Sequence, residues 1–279
     1  MSAEAHDRSD GSWPDAALVA SLRAQLGARG SKTALVLGSG LGGIADALEQ
    51  TLSWGSDELP GYPRSHVAGH EGRLLLGRFG GRDLWVIKGR VHLYEGHNPE
   101  LVTRYVRLLH ALGVEVLILT NAAGSLTSEI TPGSICRVDD VLNLFLRPLA
   151  VARESRAVWR AREPLVDRAF AELVREVARE ERVRLTAGVL VGSHGPNYET
   201  AAEVRAARRF GGHVASMSTV PEALEARELG LRQIIFSLVT NLATGLSPTR
   251  LTHEEVVARA DEAGKELRRL LEALVKRRP

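Results

Sequence analysis

The sequence predicts an α/β fold with a mixed, largely parallel central sheet flanked by helices. Strand-like apolar runs alternate with helical patterns through most of the 279 residues, which is typical of parallel strands connected by helices. The runs 73–79 and 83–88 are joined across Gly80-Gly81 and predict a β-hairpin, so the sheet should also contain antiparallel strands. We expect a polar segment and a helix over residues 1–30, followed by a single domain over residues 31–279.

The first half of this domain should begin with a strand over residues 33–37. A helix is predicted over residues 99–112, because a proline stands in its first turn and Gly113 ends the pattern. The apolar run 116–120 predicts another strand. The four residues 121–124, Asn-Ala-Ala-Gly, predict a functional loop directly after that strand.

The second half continues the alternation. Its helices are predicted over residues 164–181, 201–210 and 252–276, and its strands over residues 185–191 and 231–240. Thr252 is the predicted N-cap of the last helix, with Glu255 three residues on as in a capping box. We interpret residues 145–162 as a surface excursion.

Charge and cysteine content exclude several classes of protein. The chain carries 36 Lys and Arg against 34 Asp and Glu, a formal net charge of +2, so we expect neither nucleic acid nor a membrane as a partner. Cys136 is the single cysteine, which excludes an intrachain disulfide and indicates a reducing compartment. Residues 1–13 lack the apolar core of a signal peptide, and no run reaches the ~18 apolar residues of a spanning helix. These features predict a cytoplasmic location.

A glycine-rich loop follows the first strand, with the sequence Gly38-Ser39-Gly40-Leu41-Gly42-Gly43. Its backbone N–H groups could bind an anion where the next helical pattern begins, and phosphate is the natural ligand. The glycines at 38, 40 and 43 also match a dinucleotide-binding pattern. That pattern requires a second strand with an acidic residue ~20 positions on, whereas residues 51–63 are predicted to form a loop. A dinucleotide site and a purely structural turn remain the alternatives.

Seven segments together resemble the trimeric class of purine nucleoside phosphorylases, from about residue 33 to the end of the terminal helix. The segments are Gly38-Ser39-Gly40-Leu41-Gly42, Gly69-His70-Glu71-Gly72, Gly89-Arg90-Val91-His92-Leu93-Tyr94-Glu95-Gly96, Asn121-Ala122-Ala123-Gly124, Gly195-Pro196-Asn197-Tyr198-Glu199-Thr200, Met217-Ser218-Thr219-Val220-Pro221-Glu222 and Thr240-Asn241. They follow the order that the family has, which makes coincidence improbable. The resemblance implies a single phosphorylase domain.

The resemblance also implies a phosphate site. Its ligands would be Ser39, His70, Arg90, His92, the backbone N–H of Ala122, and Ser218. A phosphate dianion requires charge-assisted donors from several sides, and a guanidinium, imidazoles, hydroxyls and a backbone amide supply them. Taken singly, His70 or His92 could equally be a surface or structural histidine.

The resemblance places the purine between Tyr198, Glu199 and Asn241, and the ribose beside Tyr94, Met217 and His253. Glu199 can accept a hydrogen bond from N1–H of hypoxanthine or guanine, and the Asn241 amide can donate to N7 or O6. Adenine would present an unprotonated N1 to Glu199, so a preference for 6-oxopurines is expected. Taken alone, Tyr198 and Met217 could be packing residues, and Glu199 and His253 could be ordinary polar residues at helix starts.

The implied reaction is the reversible phosphorolysis of 6-oxopurine ribonucleosides or deoxyribonucleosides. Asn241, Glu199 and His92 are its candidate catalytic residues. Inorganic phosphate would be a co-substrate, no metal or organic cofactor is expected, and the resemblance implies a homotrimer.

The sequence departs from the family pattern at two places. Asp139-Asp140 stands where the family has an aspartate followed by histidine, and Ser216 replaces a glycine before Met217. In relatives an aromatic residue from the region after Asp140 reaches a neighbouring subunit's ribose, and Trp159 is the candidate for it here. Two other functions remain as alternatives: a methylthioadenosine phosphorylase, whose relatives have an aspartate at the position of Asn241, and a non-catalytic nucleoside-binding protein.

Overall fold

A computed structural model describes residues 13–65, 72–145, 165–246 and 253–277, with backbone alone for residues 253–261. After helix α1 (Ala16–Leu26), the first five strands are β1 (Thr33–Leu37), β2 (Glu49–Trp54), β3 (Arg73–Phe79), β4 (Arg82–Lys88) and β5 (Val116–Ser125). β1 lies between β4 and β5 and is parallel to both. β3 and β4 form the predicted antiparallel hairpin, and β2 extends it as the edge strand.

The remaining strands close part of the sheet on itself. They are β6 (Ile135–Asn143), β7 (Leu185–Gly192), β8 (Val214–Ser216) and β9 (Arg232–Leu242). The sheet order is β2-β3-β4-β1-β5-β8-β7-β6-β9, and β9 also pairs with β5 along most of its length. Strands β5, β8, β7, β6 and β9 therefore form a closed ring. Five of the nine pairings between described strands are parallel, which confirms the predicted mixed, largely parallel sheet.

Helices cover both faces of this sheet. After α1 they are α2 (Pro99–Val102), α3 (Arg104–Ala111), α4 (Arg168–Glu180), α5 (Ala201–Arg209), α6 (Val220–Glu228) and α7 (His253–Arg277). Successive residues of β1 point to opposite sides: Val36 packs in a core with α1, α3 and α6, whereas Leu35 packs in a core with α4 and α7. A strand buried on both faces reads as an unbroken apolar run, and β1 was predicted from such a run.

Three predicted elements differ from the structure. Residues 121–124 continue β5 and do not form a loop, because the partner strand β9 pairs with them, for example Asn121 with Ser237. The predicted loop 51–63 begins within β2, which pairs with β3. The predicted helix 99–112 is divided at Thr103, whose hydroxyl bonds to the carbonyls of Pro99 (3.1 Å) and Glu100 (3.3 Å).

Other boundaries shift by a few residues or lie outside the described parts. Helix α4 begins at Arg168 and not at 164, because Asp167 is its N-cap and accepts a 2.6 Å bond from the Phe170 N–H. Thr252, Trp159 and all but Phe145 of the predicted excursion 145–162 lie outside the described residues. In the parts that are described, no helix combines the length and the apolar character needed to cross a membrane.

Candidate active site

A cavity of about 580 Å³ opens at the carboxyl ends of β1, β4, β5 and β9. In α/β sheets this edge is the usual position of a ligand site, and the volume suits a small molecule. The cavity is lined by Ser39, Arg90, His92, Tyr94, Ala122, Ala123, Gly124, Pro196, Tyr198, Glu199, Ala215, Ser216, Met217, Ser218, Thr240, Asn241, Leu242, Ala243 and Thr244. Residues far apart in sequence therefore meet at one place.

Ten of the twelve predicted site residues line this cavity. They are Ser39, Arg90, His92, Tyr94, Ala122, Tyr198, Glu199, Met217, Ser218 and Asn241. His70 lies outside the described residues, and His253 is described only by its backbone at the start of α7. The convergence is an observation, whereas the role of each side chain stays a prediction.

The glycine loop brings Ser39 to the cavity through a close approach to β5. A Cβ atom on Gly38 would lie 2.6 Å from the Asn121 Cα, so only glycine fits there. The Gly38 N–H donates to the Thr120 hydroxyl at 3.1 Å, and Gly40 has a left-handed φ of +77°. The dinucleotide alternative fails on topology, because β4, and not the next strand β2, lies beside β1.

Arg90 is held from several sides at the back of the cavity. Its Nη1 donates to the hydroxyls of Ser218 (3.1 Å) and Thr219 (2.6 Å), and its Nη2 donates to the Thr120 carbonyl (2.7 Å). Nη1 also lies 3.3 Å from a carboxylate oxygen of Glu222, which is fully buried on α6. This arrangement fixes a positive charge beside Ser218.

Thr219 adopts a strained backbone conformation next to Ser218. Its φ of +74° lies in the left-handed region, which a β-branched residue rarely adopts, and its side chain is fully buried. The surrounding contacts hold it there, since its hydroxyl oxygen also accepts a 3.1 Å bond from the Asn121 amide. Residues 217–219 connect β8 to α6 and place Ser218 in the cavity lining. The backbone strain of Thr219 therefore lies next to the site.

Glu95 orients His92. One oxygen of Glu95 lies 3.2 Å from Nδ1 of His92 and accepts a 2.7 Å bond from its backbone N–H. Ser65 donates to the other oxygen at 3.1 Å. The imidazole stacks on Tyr94 with ring centroids 4.7 Å apart, which fixes its plane. Burial, and secondarily the charge of Glu95, raises the pKa of Tyr94, so this phenol stays protonated at neutral pH.

Glu199 and Asn241 also line the cavity, and each has hydrogen-bond partners of its own. Glu199 accepts a 2.6 Å bond from the Ser193 hydroxyl. The Oδ1 of Asn241 accepts from the Thr240 hydroxyl (2.9 Å), and its amide nitrogen donates to the Leu242 carbonyl (3.1 Å). Tyr198 is 77% exposed at the mouth, so it is not the packing residue considered as its alternative.

Gly195 allows the loop that carries Glu199 to approach Met217. Its φ is +67°, and a Cβ there would lie 2.5 Å from the Met217 sulfur and 3.0 Å from a ring carbon of Tyr94. The close approach places two of the three predicted ribose residues, Tyr94 and Met217, beside the loop that carries Tyr198 and Glu199. Both groups therefore face one volume.

Comparison with known proteins shows the family of the chain. The sequence profile of the phosphorylase superfamily matches residues 32–276. Purine nucleoside phosphorylase 1 of Geobacillus stearothermophilus is 38% identical over 247 residues, which cover 87% of this chain and 89% of that protein. The bovine (Bos taurus) purine nucleoside phosphorylase is 39% identical over 256 residues, covering 88% and 86% of the two chains. The chain belongs to the purine nucleoside phosphorylase family.

A solved structure of the family supports the fold as well. The crystal structure of a Schistosoma purine nucleoside phosphorylase in complex with hypoxanthine superposes with a TM-score of 0.82 at 30% identity, covering 94% of this chain and 96% of that one. The predicted nucleoside phosphorylase fold is thereby confirmed.

Sequence reasoning missed a second layer of polar residues behind the family motifs. Thr120, Thr219 and Glu222 surround Arg90, and Ser193 holds Glu199. Thr219 and Glu222 stood in a quoted motif, but no sequence signal indicated their buried partners. No group of three or more His, Cys, Asp or Glu within the described ranges is arranged to hold a metal ion.

A second cavity, of about 720 Å³, lies at the opposite, amino-terminal ends of β1 and β4. Arg29 there pairs with Asp83 at 2.8 Å, and Lys32 pairs with Glu115 at 2.5 Å. None of the ten converging residues lines it. We therefore assign the family's chemistry to the smaller cavity.

Proposed function

We propose that this chain is a purine nucleoside phosphorylase, a pentosyltransferase that reversibly converts 6-oxopurine ribonucleosides or deoxyribonucleosides, such as inosine and guanosine, and phosphate into free base and pentose 1-phosphate. One observation carries the proposal. A cluster suited to an oxyanion and a pair suited to a purine, Glu199 and Asn241, line the same cavity. The oxyanion cluster is Ser39, Arg90, His92, the Ala122 backbone and Ser218. Family membership supplies the reaction class.

Phosphate binds in the oxyanion cluster, with His70 as a further ligand. The buried guanidinium of Arg90 and the Ser218 hydroxyl beside it act as fixed donors, so they need little reorganisation when the anion arrives. Held below the anomeric carbon, phosphate is both the nucleophile and the counter-charge for the positive charge that develops on the sugar. Tyr94, Met217 and His253 bind the ribose.

Bond cleavage transfers the electron pair of the glycosidic bond to the purine. Asn241 stabilises N7 as that atom gains charge or a proton, and Glu199 accepts from N1–H to hold the ring in register. Tyr198 covers the base at the mouth. Because these contacts strengthen as the base departs, they lower the barrier and do not merely tighten substrate binding.

We further propose a cytoplasmic homotrimer that uses phosphate as co-substrate and requires no cofactor. The nearly balanced charge and the single cysteine support this location and the absence of nucleic-acid and membrane partners. The profile match over residues 32–276 supports one phosphorylase domain over residues 31–279 after the N-terminal segment and helix. A trimer would let a neighbouring subunit complete the site near Tyr198, which is open to solvent in the single chain.

The test compares base release from inosine, guanosine, adenosine and methylthioadenosine, each with and without inorganic phosphate. We expect phosphate-dependent release of hypoxanthine and guanine, with pentose 1-phosphate as the second product. Dominant cleavage of methylthioadenosine would identify the alternative phosphorylase. Nucleoside binding without base release would identify a non-catalytic binding protein.

A further inference from the structure

Ser193 directly follows strand β7 and contacts Glu199, the side chain proposed to bind the purine. Its hydroxyl donates to one carboxylate oxygen of Glu199 at 2.6 Å, a short bond of the charge-assisted kind. Its own backbone N–H donates to the Ser216 carbonyl at 3.1 Å, directly after the register pair Gly192 and Ser216. The donor is therefore fixed to the sheet, and the acceptor lies on the loop.

Glu199 depends on that donor for its orientation. Within the described parts of the chain, Ser193 is the one hydrogen-bond donor that reaches its carboxylate. The next residue, Thr200, is committed elsewhere: its backbone N–H and its hydroxyl both bond to Glu203 in the capping box of α5. The backbone next to Glu199 is therefore held at the start of α5, whereas the long, partly buried side chain of Glu199 is held by Ser193.

The bond also gives the two carboxylate oxygens of Glu199 different surroundings. Ser193 occupies a lone pair on Oε1, whereas Oε2 receives no bond from the described residues. A carboxylate has enough acceptor capacity to bind the serine hydroxyl and a ring N–H together. A glutamate without this anchor would distribute among several rotamers, and binding a base would then have to order it.

From these contacts we infer that Ser193 is a positioning residue of the purine site, which holds Glu199 in the rotamer that accepts a hydrogen bond from N1–H of a 6-oxopurine. The inference rests on the proposed function. It assigns to Ser193 an effect on base affinity that is transmitted through Glu199 alone. Phosphate affinity should not depend on it, because the Ser193 hydroxyl bonds to Glu199 and not to a described residue of the oxyanion cluster.

The test measures dissociation constants for hypoxanthine and for phosphate by calorimetry. Ser193→Ala should weaken hypoxanthine about 10-fold, the effect of losing one hydrogen bond to a charged group, and leave phosphate unchanged. Ser193→Thr keeps a hydroxyl and should restore most of the affinity. His194→Ala is the matched control, because its exposed ring bonds to the adjacent Gly195 carbonyl and does not line the cavity.

A double-mutant cycle separates positioning from a structural role. In a Glu199→Ala background, which leaves the Ser193 hydroxyl no side-chain acceptor at residue 199, Ser193→Ala should have less than about a twofold further effect on hypoxanthine. An equal hypoxanthine affinity in Ser193→Ala and the parent would overturn the inference, as would a parallel loss of phosphate affinity or an undiminished effect in the Glu199→Ala background. A parent that binds hypoxanthine but releases none from inosine would instead refute the proposed function alone.

Discussion

The guanidinium of Arg90 and the carboxylate of Glu222 form an ion pair 3.3 Å apart, with side chains that are 1% and 0% exposed. The Tyr105 hydroxyl donates to the same carboxylate oxygen at 3.0 Å, which links α3 to α6. A buried pair of this kind compensates charges that would be costly to leave alone in a nonpolar interior. Glu222 thus keeps a cation in position behind Ser218.

Glu222→Gln should lower the free energy of unfolding by about 3 kcal/mol, because it removes the buried negative charge that pairs with Arg90. Denaturant unfolding monitored by circular dichroism measures the change. Phosphate should recover part of the loss by supplying a replacement negative charge. Glu262→Gln, on the exposed face of α7, is the control and should change stability by less than about 0.5 kcal/mol. Equal losses in the two variants would contradict the role of the ion pair.

Local sequence patterns predicted the elements whose packing is simple. The hairpin around Gly80-Gly81 and the apolar run of β1 both follow from short-range rules of strand formation. Strand β8, with only three residues, and helix α6 had no such signal. Helix α6 buries Glu222 and Glu225 on its inner side, so charged residues occupy positions where a helical pattern would show apolar ones.

Sequence motifs also predicted the side chains that line the cavity, but not the residues that hold those side chains in place. Ser39, Glu199 and Asn241 were expected in one site from their motifs, and they do line one cavity. The Arg90 partner Ser218 lies 128 residues away in sequence, and contacts of this kind depend on the folded sheet. The left-handed φ of Thr219 could not be foreseen, since threonine disfavours that conformation and tertiary contacts impose it.

Asn241→Ala should lower the turnover of inosine at least about tenfold, because it removes the amide that we propose to bind N7 more strongly as the base departs. Steady-state kinetics at saturating phosphate measure the effect on kcat. Asn197→Ala, at an exposed position outside the cavity lining, should leave kcat unchanged. Parent-like turnover in Asn241→Ala would rule out this role of the amide.

Glu199→Ala should weaken the binding of guanine-type inhibitors at least about tenfold, since their N1–H and 2-amino groups would lose their acceptor. Inhibition constants for guanine, measured against inosine, give the change. The KM for phosphate serves as an internal control and should stay constant. Matching inhibition constants in variant and parent would show that another residue reads the base.

Cys136 should be inert to thiol reagents in the folded protein. Its side chain is fully buried in β6, and burial raises the pKa of the thiol from 9.0 to about 11, so almost no thiolate exists at neutral pH. The unfolded chain loses this proton at lower pH than the folded chain, so this group lowers stability as pH rises from about 9 to about 11. Reaction with a chromogenic disulfide should be slow in buffer and rapid in guanidinium. Rapid reaction under both conditions would contradict the burial.

Gly124 leaves the space that the Asn241 side chain occupies. A Cβ atom at residue 124 would lie 3.3 Å from the Asn241 amide nitrogen, closer than an ordinary contact, so Gly124→Ala should displace the amide. We expect kcat for inosine to fall about threefold with a modest loss of stability, because the Asn241 amide must move by a few tenths of an ångström and the reaction rate depends on its alignment. Gly264→Ala is the control: a Cβ there has room beside Leu41, and alanine favours helix α7, so the variant should be as active as the parent and slightly more stable. Undiminished turnover in Gly124→Ala would contradict the prediction. It would show that the reaction does not depend on the position that Gly124 allows the Asn241 amide to take.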